Sequence, residues 1–174
     1  MPLFKPDYYV KSFKYVDINK LEAMGIKLLL CDIDNTLVAF DDPDSNKGVH
    51  LFIEALKSRG IKVALMSNNF SWRVKRFAKD LGMDRIYSFS MKPFPFTFRR
   101  AMKDYHLRPD QVALIGDQLF TDMLGGNLAG AYTILSAPIV ERERLDTFLL
   151  RILERAVFRH YEKKGIMKRG DFDE

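Results

Sequence analysis

The fold is decided by residues 28–37, LLLCDIDNTL, in which an apolar run ends in two carboxylates, Asp32 and Asp34, that one residue separates. A continuous apolar run of this kind is typical of a strand buried on both faces of a parallel sheet. Side chains at the carboxyl end of such a strand face the crevice in which open α/β folds bind ligands. Packing explains two acids there poorly, so the stretch predicts a site of chemistry at the end of a central strand.

Strand-like and helix-like segments alternate along the rest of the chain at short spacings. Strands are predicted at residues 27–33, 62–66, 86–89, 111–115 and 132–135, and helices at 17–24, 49–59, 71–81, 95–106 and 119–128. Such alternation is typical of a mostly parallel sheet with helices on both faces. The predicted fold class is therefore α/β, with a Rossmann-like five-stranded sheet between helices.

Three more polar clusters follow predicted strands. They are Ser67-Asn68-Asn69, Lys92-Pro93 and the stretch GDQLFTD from Gly116 to Asp122. Each cluster alone is a weak signal, because Asp-x-Asp is common in acidic loops and Ser-Asn-Asn or Lys-Pro ordinarily marks a turn. In this order, however, the four clusters resemble the four motifs of the haloacid dehalogenase (HAD) superfamily.

The combination of DIDNTLV, MSNN, Lys-Pro, GDQLFTD and GGN resembles, more narrowly, the class IIIA HAD phosphatases of the bacterial YqeG family. The resemblance runs from about Phe4 to the basic carboxyl tail. It implies a HAD fold, a Mg²⁺ cofactor and hydrolysis of a phosphate monoester through an aspartyl-phosphate intermediate. Relatives of that family include enzymes that dephosphorylate phosphatidylglycerophosphate, which makes this lipid a candidate substrate.

The resemblance also implies a role for each acid. Asp32 is the nucleophile, while Asp34 is the general acid for the leaving oxygen and then the base for the attacking water. Two close anions repel each other unless a cation lies between them, and Mg²⁺ prefers oxygen ligands in octahedral geometry. The expected ligands are the Asp32 carboxylate, the Asp34 backbone carbonyl and the Asp117 carboxylate.

The remaining motif residues are expected around the phosphate. Ser67 binds a phosphate oxygen through its hydroxyl and Asn68 through its backbone amide, while Lys92 supplies the fixed positive charge that steadies the phosphorylated intermediate. Asp122 is expected behind the metal ligands, where it orients metal-bound waters or Lys92. Thr36 is either a hydroxyl that stabilises the loop of the nucleophile or an ordinary helix or turn residue.

The spacing between the motifs leaves no room for a sizeable cap domain. Asp32 and Ser67 are 35 positions apart and Ser67 and Lys92 are 25 apart, so each gap holds little more than one helix. Because HAD enzymes insert their caps in these gaps, we expect an uncapped site that a phosphate on a bulky molecule can reach. Since no linker or repeat divides the chain, residues 1–174 are expected to form a single HAD hydrolase domain.

Composition narrows the class of protein. The 174 residues are 47% hydrophobic and 29% charged, which is ordinary for a globular domain. No apolar run approaches the roughly 20 residues that span a bilayer, and the amino terminus lacks a secretory signal, so a cytoplasmic protein is the default expectation. The only cysteine, Cys31, is expected in a buried strand, and its isolation excludes an intramolecular disulfide and a thiolate-rich metal site.

The carboxyl-terminal segment is predicted to form a basic amphipathic helix at about residues 140–164. Its apolar stripe and nearby arginines are Leu145, Phe148, Leu149, Ile152, Leu153, Ala156 and Val157, with Arg142, Arg144, Arg151, Arg155 and Arg159. Nine basic residues stand against five acidic ones between Ile139 and Gly170, in a chain of net charge +5. The helix either packs on the sheet with solvated arginines or contacts an anionic membrane at its inner surface, a nucleic acid or ribosome, or a partner subunit in an oligomer.

One local departure from the family pattern follows the Lys-Pro pair. The family usually has small or polar residues there, whereas this chain has Phe94-Pro95-Phe96-Thr97-Phe98. Some of these rings are expected in the core. If Phe94 or Phe96 is exposed, it forms an apolar rim beside the pocket.

Other functions fit the motifs less well. A receiver-like phosphoacceptor shares a strand-end aspartate and a lysine but lacks the acid at Asp34. A ribosome-associated binding module with a vestigial site is disfavoured by the intact Asp32, Lys92 and Asp117. Among phosphatases, a protein, nucleotide or sugar phosphate is the alternative to a phospholipid as substrate.

Overall fold

A computed structural model describes residues 3–39, 47–68, 72–83, 85–140 and 148–173. Its centre is a six-stranded sheet in the order β1-β6-β5-β2-β3-β4, and every strand pairing within the described residues is parallel. The strands are β1 (Tyr8–Val10), β2 (Leu28–Cys31), β3 (Lys62–Met66), β4 (Ile86–Tyr87), β5 (Val112–Gly116) and β6 (Tyr132–Ser136). The predicted parallel α/β sheet is confirmed.

The predicted count of five strands is corrected to six by β1. This strand has only three residues and pairs with β6, in register Tyr8 with Ile134, across more than 120 positions of the chain. A three-residue apolar run carries no periodic pattern of its own, so sequence analysis missed it. Its outer edge is covered by the carboxyl tail, where the Tyr9 backbone amide donates to the Asp173 carboxylate at 2.7 Å.

Six α-helices in the described residues surround the sheet. They are α1 (Ile18–Ala23), α2 (Lys47–Ser58), α3 (Trp72–Asp80), α4 (Phe96–Asp104), α5 (Leu124–Ala129) and α6 (Phe148–Lys163). Asp17 caps α1 by accepting from the Lys20 backbone amide at 3.1 Å, and Gly25 adopts a φ of +79° just beyond the helix. The predicted helix at 119–128 is instead a π-helical turn, Leu119–Met123, that leads into α5.

The side chains of β2 show how the sheet is covered on both faces. Leu29 and Cys31 belong to one hydrophobic cluster, with Phe52 of α2 and Phe77 of α3. Leu28 and Leu30 alternate to the other cluster, which includes the α4 residues Phe98 and Met102. Cys31 is buried as expected, and burial raises the pKa of its thiol.

The register of the central strands gathers the motif residues at one edge. Cys31 of β2 lies opposite Leu65 of β3 and Ile115 of β5. Asp32, Ser67 and Asp117 therefore leave the sheet at the same end, where parallel α/β folds bind ligands. Within the described parts of the chain, one helix joins β2 to β3 and one joins β3 to β4.

The carboxyl-terminal helix differs from its predicted orientation. It is described from Phe148, and the predicted residues 141–147, including Arg142, Arg144 and Leu145, lie outside the described residues. Ile152 and Leu153 of the predicted apolar stripe are 44% and 51% exposed, while Glu154 is buried. Val157 of the predicted stripe does pack against the core, and Arg155 and Arg159 are exposed. Arg151 and Glu154, however, turn toward the motif residues, so one of the predicted solvated arginines is part of the site. None of the described helices is long and apolar enough to cross a membrane.

Candidate active site

Lys92 and Asp32 form the centre of the site. The Lys92 ammonium donates to Asp32 Oδ1 at 2.7 Å, to Asp122 Oδ1 at 2.6 Å and to the Met66 carbonyl oxygen at 3.2 Å. Its side chain is only 2% exposed. The hydroxyl of buried Thr36 lies 3.4 Å from Asp32 Oδ2. The Lys92 ammonium thus donates three hydrogen bonds to protein oxygens. Lys92 contacts one oxygen of the Asp32 carboxylate and Thr36 contacts the other.

Asp122 reaches the site because of the local backbone between β5 and α5. The π-helical turn at Leu119–Met123 carries it, and the Gln118 backbone amide donates to its carboxylate at 3.2 Å. π-Helical turns occur often at functional sites. Gly116 gives the room for this arrangement, because a Cβ at that position would overlap the Asp122 carboxylate. The structure therefore brings Asp122 to Lys92, as the sequence predicted.

Ser67 and Asn68 lie directly beyond β3. Ser67 is buried, and its carbonyl oxygen accepts from the Ser90 backbone amide at 3.0 Å. The Asn68 amide side chain is occupied with the lysine loop: its Oδ1 accepts from Ser90 Oγ at 2.9 Å and from the Lys92 backbone amide at 2.8 Å. Its Nδ2 donates to the Lys92 carbonyl oxygen at 3.2 Å. Sequence analysis missed this structural use of the Asn68 side chain, which positions Lys92.

Asp34 lies in the turn that follows Asp32, as expected for a strand that becomes a loop. The Asn35 backbone amide donates to the Val38 carbonyl oxygen at 2.7 Å, and Asn35 has a φ of +62°. Asparagine tolerates this left-handed conformation better than most residues. Asp34 itself is half-buried, whereas its neighbours Ile33 and Thr36 are buried.

Carboxylates in the described chain are grouped closely enough for a cation. Oxygens of Asp32, Asp117 and Asp122 all lie within 4.8 Å of one another, and Asp117 Oδ1 is buried without a hydrogen-bond partner among the described residues. Hard oxygen donors of this kind suit Mg²⁺ better than zinc or copper. The residues therefore fit a divalent metal. The structure groups two of the predicted side-chain ligands, Asp32 and Asp117, and adds Asp122 to them.

Arg151 and Glu154 of α6 complete the polar cluster, and sequence analysis assigned neither to the site. Arg151 Nη1 donates to the Asp117 carbonyl oxygen at 2.9 Å and to Glu154 Oε2 at 2.8 Å, and Nη2 donates to the Asp117 carboxylate. Glu154 Oε1 in turn accepts from the Leu119 backbone amide at 2.6 Å. Arg151 is 34 positions from Asp117 in the sequence, and the fold brings the two into contact. The available signal was the Arg-Glu pair at i and i+3, a spacing that places both side chains on one face of the helix.

The buried charges do not balance within the described part of the chain. When all six groups are ionised, the buried carboxylates of Asp32, Asp117, Asp122 and Glu154 stand against two cations, Lys92 and Arg151, which leaves a net charge of −2. Burial raises the pKa of Asp32 to about 8 and that of Asp117 to about 7, although Lys92 and Arg151 oppose these shifts. Burial disfavours the charged form of Lys92, but Asp122 and Asp32 raise its pKa above the usual value. A divalent cation would neutralise the excess negative charge.

Several known proteins are similar to this chain in sequence. Residues 18–130 match the family model of haloacid dehalogenase-like hydrolases. The chain is 38% identical over 162 residues to "Probable phosphatase YqeG" of Bacillus subtilis (strain 168), covering 93% of this chain and 94% of that protein. It is 27% identical over 173 residues to "Phosphatidylglycerophosphate phosphatase 1, chloroplastic/mitochondrial" of Arabidopsis thaliana, covering 92% of this chain and 49% of that protein. The chain thus spans about half the length of the plant relative.

Solved structures show the same fold at low sequence identity. The cobalt-bound deoxy-D-mannose-octulosonate 8-phosphate phosphatase of Haemophilus influenzae has a TM-score of 0.55 at 23% identity, covering 68% of this chain and 74% of its own. CbbY of Rhodobacter sphaeroides, in complex with phosphate, has a TM-score of 0.57 at 15% identity, covering 68% and 90%. At these identities the likeness concerns the fold alone.

Proposed function

Because the chain belongs to the haloacid dehalogenase-like hydrolase family, we propose that it is a Mg²⁺-dependent phosphatase that cleaves a phosphate monoester through an aspartyl-phosphate on Asp32. The observation that carries the proposal is the buried contact of Lys92 with Asp32 and Asp122, beside a carboxylate group that fits a divalent cation. The bound metal would supply positive charge to the phosphate oxygens. Asp32 and Asp117 would hold it through their carboxylates, and Asp34 through its backbone carbonyl.

The first chemical step belongs to Asp32. A carboxylate oxygen of Asp32 attacks phosphorus, the bond between phosphorus and the leaving oxygen breaks, and Asp34 gives its proton to that oxygen. Lys92 and Thr36 hold the Asp32 carboxylate, so the nucleophile needs little reorientation. The buried Lys92 charge also balances the negative charge that gathers on the phosphate oxygens.

The second step regenerates the enzyme. Asp34, now a carboxylate, takes a proton from water, whose oxygen attacks the phosphorus of the aspartyl-phosphate. The bond between phosphorus and the Asp32 oxygen breaks, which releases inorganic phosphate and restores the Asp32 carboxylate. Ser67 and the Asn68 backbone amide are the proposed donors to the phosphate, since both residues follow β3 at the same sheet edge as Asp32.

Arg151 has a positioning role in this proposal. Its guanidinium donates to both the backbone carbonyl and the carboxylate of Asp117. Such a forked contact fixes the orientation of a carboxylate. Glu154 of the same helix accepts from the Leu119 backbone amide. The carboxyl-terminal helix therefore holds Asp117 so that its second oxygen is left for the metal.

The substrate we propose is phosphatidylglycerophosphate. The support is the similarity to the plant relative, which is named for this activity, together with single helices where a cap would lie in the described chain. A protein, nucleotide or sugar phosphate is the alternative, and a ribosome-associated binding role with residual activity is a more distant one.

The test is turnover against a panel of phosphate monoesters that includes phosphatidylglycerophosphate and p-nitrophenyl phosphate, with Mg²⁺. We expect Asp32→Asn to lose about 10⁴-fold or more in turnover, because it removes the nucleophile and keeps the shape of the side chain. Trapping of a phosphoenzyme in the wild-type protein, and not in this variant, would identify Asp32 as the attacking group. Full turnover by the variant would refute the mechanism.

A further inference from the structure

Four large apolar side chains stand in solvent immediately beside the active-site lysine. We call them the apolar rim: Phe89, Met91, Phe94 and Phe96, which are 61%, 52%, 55% and 64% exposed. The rings of Phe94 and Phe96 are stacked, with centroids 5.9 Å apart. Single exposed apolar residues are common on proteins, but four within eight positions form a patch of the kind that marks an interaction site.

The active-site hydrogen bonds hold the rim in its outward orientation. Phe89 and Met91 alternate with buried Ser90 and Lys92, and both have a positive φ, +51° and +53°. Bulky residues rarely adopt this conformation, because it brings their side chains too close to the backbone. The bonds of Asn68 to Ser90 and Lys92 stabilise the loop in spite of this close approach. Two strained positions that present large apolar side chains to water indicate a functional surface.

A cationic stripe continues from the rim along α4. Phe96, Arg99, Arg100 and Lys103 are all exposed, and their spacing of three and four residues places them on one face of the helix. The opposite face, with Phe98, Ala101 and Met102, is buried. Asp104 is 3.9 Å from Arg100 and is half-buried at the far end of the stripe. We call Arg99, Arg100 and Lys103 the α4 stripe.

We propose that the apolar rim and the α4 stripe dock this protein on an anionic lipid bilayer. Aromatic and methionine side chains enter the boundary between headgroups and acyl chains, and adjacent arginine and lysine side chains contact the lipid phosphates. Because the rim flanks Lys92, docking would bring the mouth of the site to the headgroup level, where the phosphate of a lipid is presented. The lipid-substrate part of this inference rests on the proposed function; the docking itself does not.

Binding to vesicles tests the inference without relying on catalysis. The protein carrying Asp32→Asn is sedimented with vesicles of phosphatidylglycerol and phosphatidylcholine, and with vesicles of phosphatidylcholine alone. We expect binding to the anionic vesicles that weakens as salt rises. Adding Phe94→Ser and Phe96→Ser should lower the partition coefficient by about tenfold or more, because two apolar side chains no longer leave water.

A matched control replaces exposed apolar residues elsewhere. Leu51→Ser with Leu128→Ser removes two side chains that are 55% and 45% exposed, on α2 and α5, and should leave vesicle binding unchanged. The unfolding midpoint of each variant checks the fold. If the Phe94/Phe96 variant unfolds, the double variant Arg99→Gln with Arg100→Gln tests the proposal instead. These two side chains are exposed, and the loss of their charge should weaken binding to anionic vesicles several-fold.

Three results would overturn the docking proposal. The first is that the protein with intact rim residues does not bind anionic vesicles. The second is that the control variant and the rim variant lose binding equally. The third is that the protein forms a dimer, which the rim substitutions abolish, and shows no vesicle binding. The last would assign the rim to a second copy of the chain. If the protein with Asp32 intact binds vesicles but turns over no phosphate ester, the proposed function is contradicted and the docking proposal still stands.

Discussion

Helices α4 and α6 both carry arginines and apolar residues beside the active site, yet they use them in opposite ways. α4 buries Phe98, Ala101 and Met102 and leaves its cations in solvent. α6 turns Arg151 and Glu154 toward the site and leaves Ile152 and Leu153 exposed. The amphipathic pattern alone therefore does not decide which face of a basic helix is buried.

The electrostatics of the motif residues explain the difference. Removing the partner of a buried charge costs about 3–5 kcal/mol, whereas burying one Leu or Ile side chain stabilises by about 1.5–3 kcal/mol. Asp117 and the Leu119 amide offer α6 strong polar partners, so Arg151 and Glu154 displace apolar residues from its inner face. α4 follows the loop that carries Lys92, whose ammonium already pairs with Asp32 and Asp122, and the buried face of α4 is apolar.

The comparison predicts its largest effect for the two cations of the site. Lys92→Gln should lower turnover about 10²–10³-fold at saturating Mg²⁺, because it removes a charge that touches the nucleophile. Arg151→Gln should lower it by less than about tenfold, because Arg151 acts through Asp117. Steady-state turnover of p-nitrophenyl phosphate measures both. Equal losses of turnover in the two variants would contradict the assignment of Lys92 as a catalytic residue and of Arg151 as a positioning residue.

Arg151→Gln should show its main effect on stability. It leaves Asp117 and Glu154 buried with a lost partner, so the free energy of unfolding should fall by about 3–5 kcal/mol without metal. Mg²⁺ should restore more stability to this variant than to the wild-type protein, because the excess of buried negative charge is larger. Thermal unfolding with and without Mg²⁺ measures this. Arg159→Gln, at an exposed position of the same helix, is the matched control and should match the wild-type protein.

A smaller effect concerns pH. Burial raises the pKa of Asp32 to about 8 and that of Asp117 to about 7, above the value of about 4 for an aspartate in an unfolded chain. The metal-free folded state therefore holds extra protons, and its stability falls as the pH rises from about 4 to 8. A bound cation replaces those protons. Mg²⁺ should thus raise the unfolding midpoint more at about pH 8.5 than at about pH 6, and the reverse order would contradict the charge count.

The smallest expected effect compares the exposed cations of the two helices. Arg99→Gln with Arg100→Gln should weaken binding to anionic vesicles several-fold, whereas Arg155→Gln with Arg159→Gln on α6 should change it little. All four side chains are exposed, and only the first pair continues from the apolar rim. Sedimentation at low and moderate salt measures both variants. A larger loss in the α6 variant would return the membrane contact to the carboxyl-terminal helix, where the sequence pattern first suggested it.

Much of the site was predictable because it is local to strand ends. Asp32, Ser67 and Asp117 each follow an apolar strand within a residue or two, and a parallel sheet brings such positions together by its register. Lys92 and Asp122 were expected near them from motif order, and the structure places them in contact at 2.6 Å. The sequence by itself thus determined the parallel α/β class and which motif side chains gather at one edge of the sheet.

Only the tertiary structure decided which faces and which distant segments complete the site. β1 and the Arg151 contact join residues far apart in the chain, and nothing in a short local pattern encodes such a pairing. Likewise, the phenylalanines after Lys92 were equally compatible with the core and with solvent. Phe98 fills the core while Phe94 and Phe96 stay exposed, because hydrogen bonds from Asn68 fix the loop before α4. Exposure depends on what packs against a side chain, and that is settled by the folded chain as a whole.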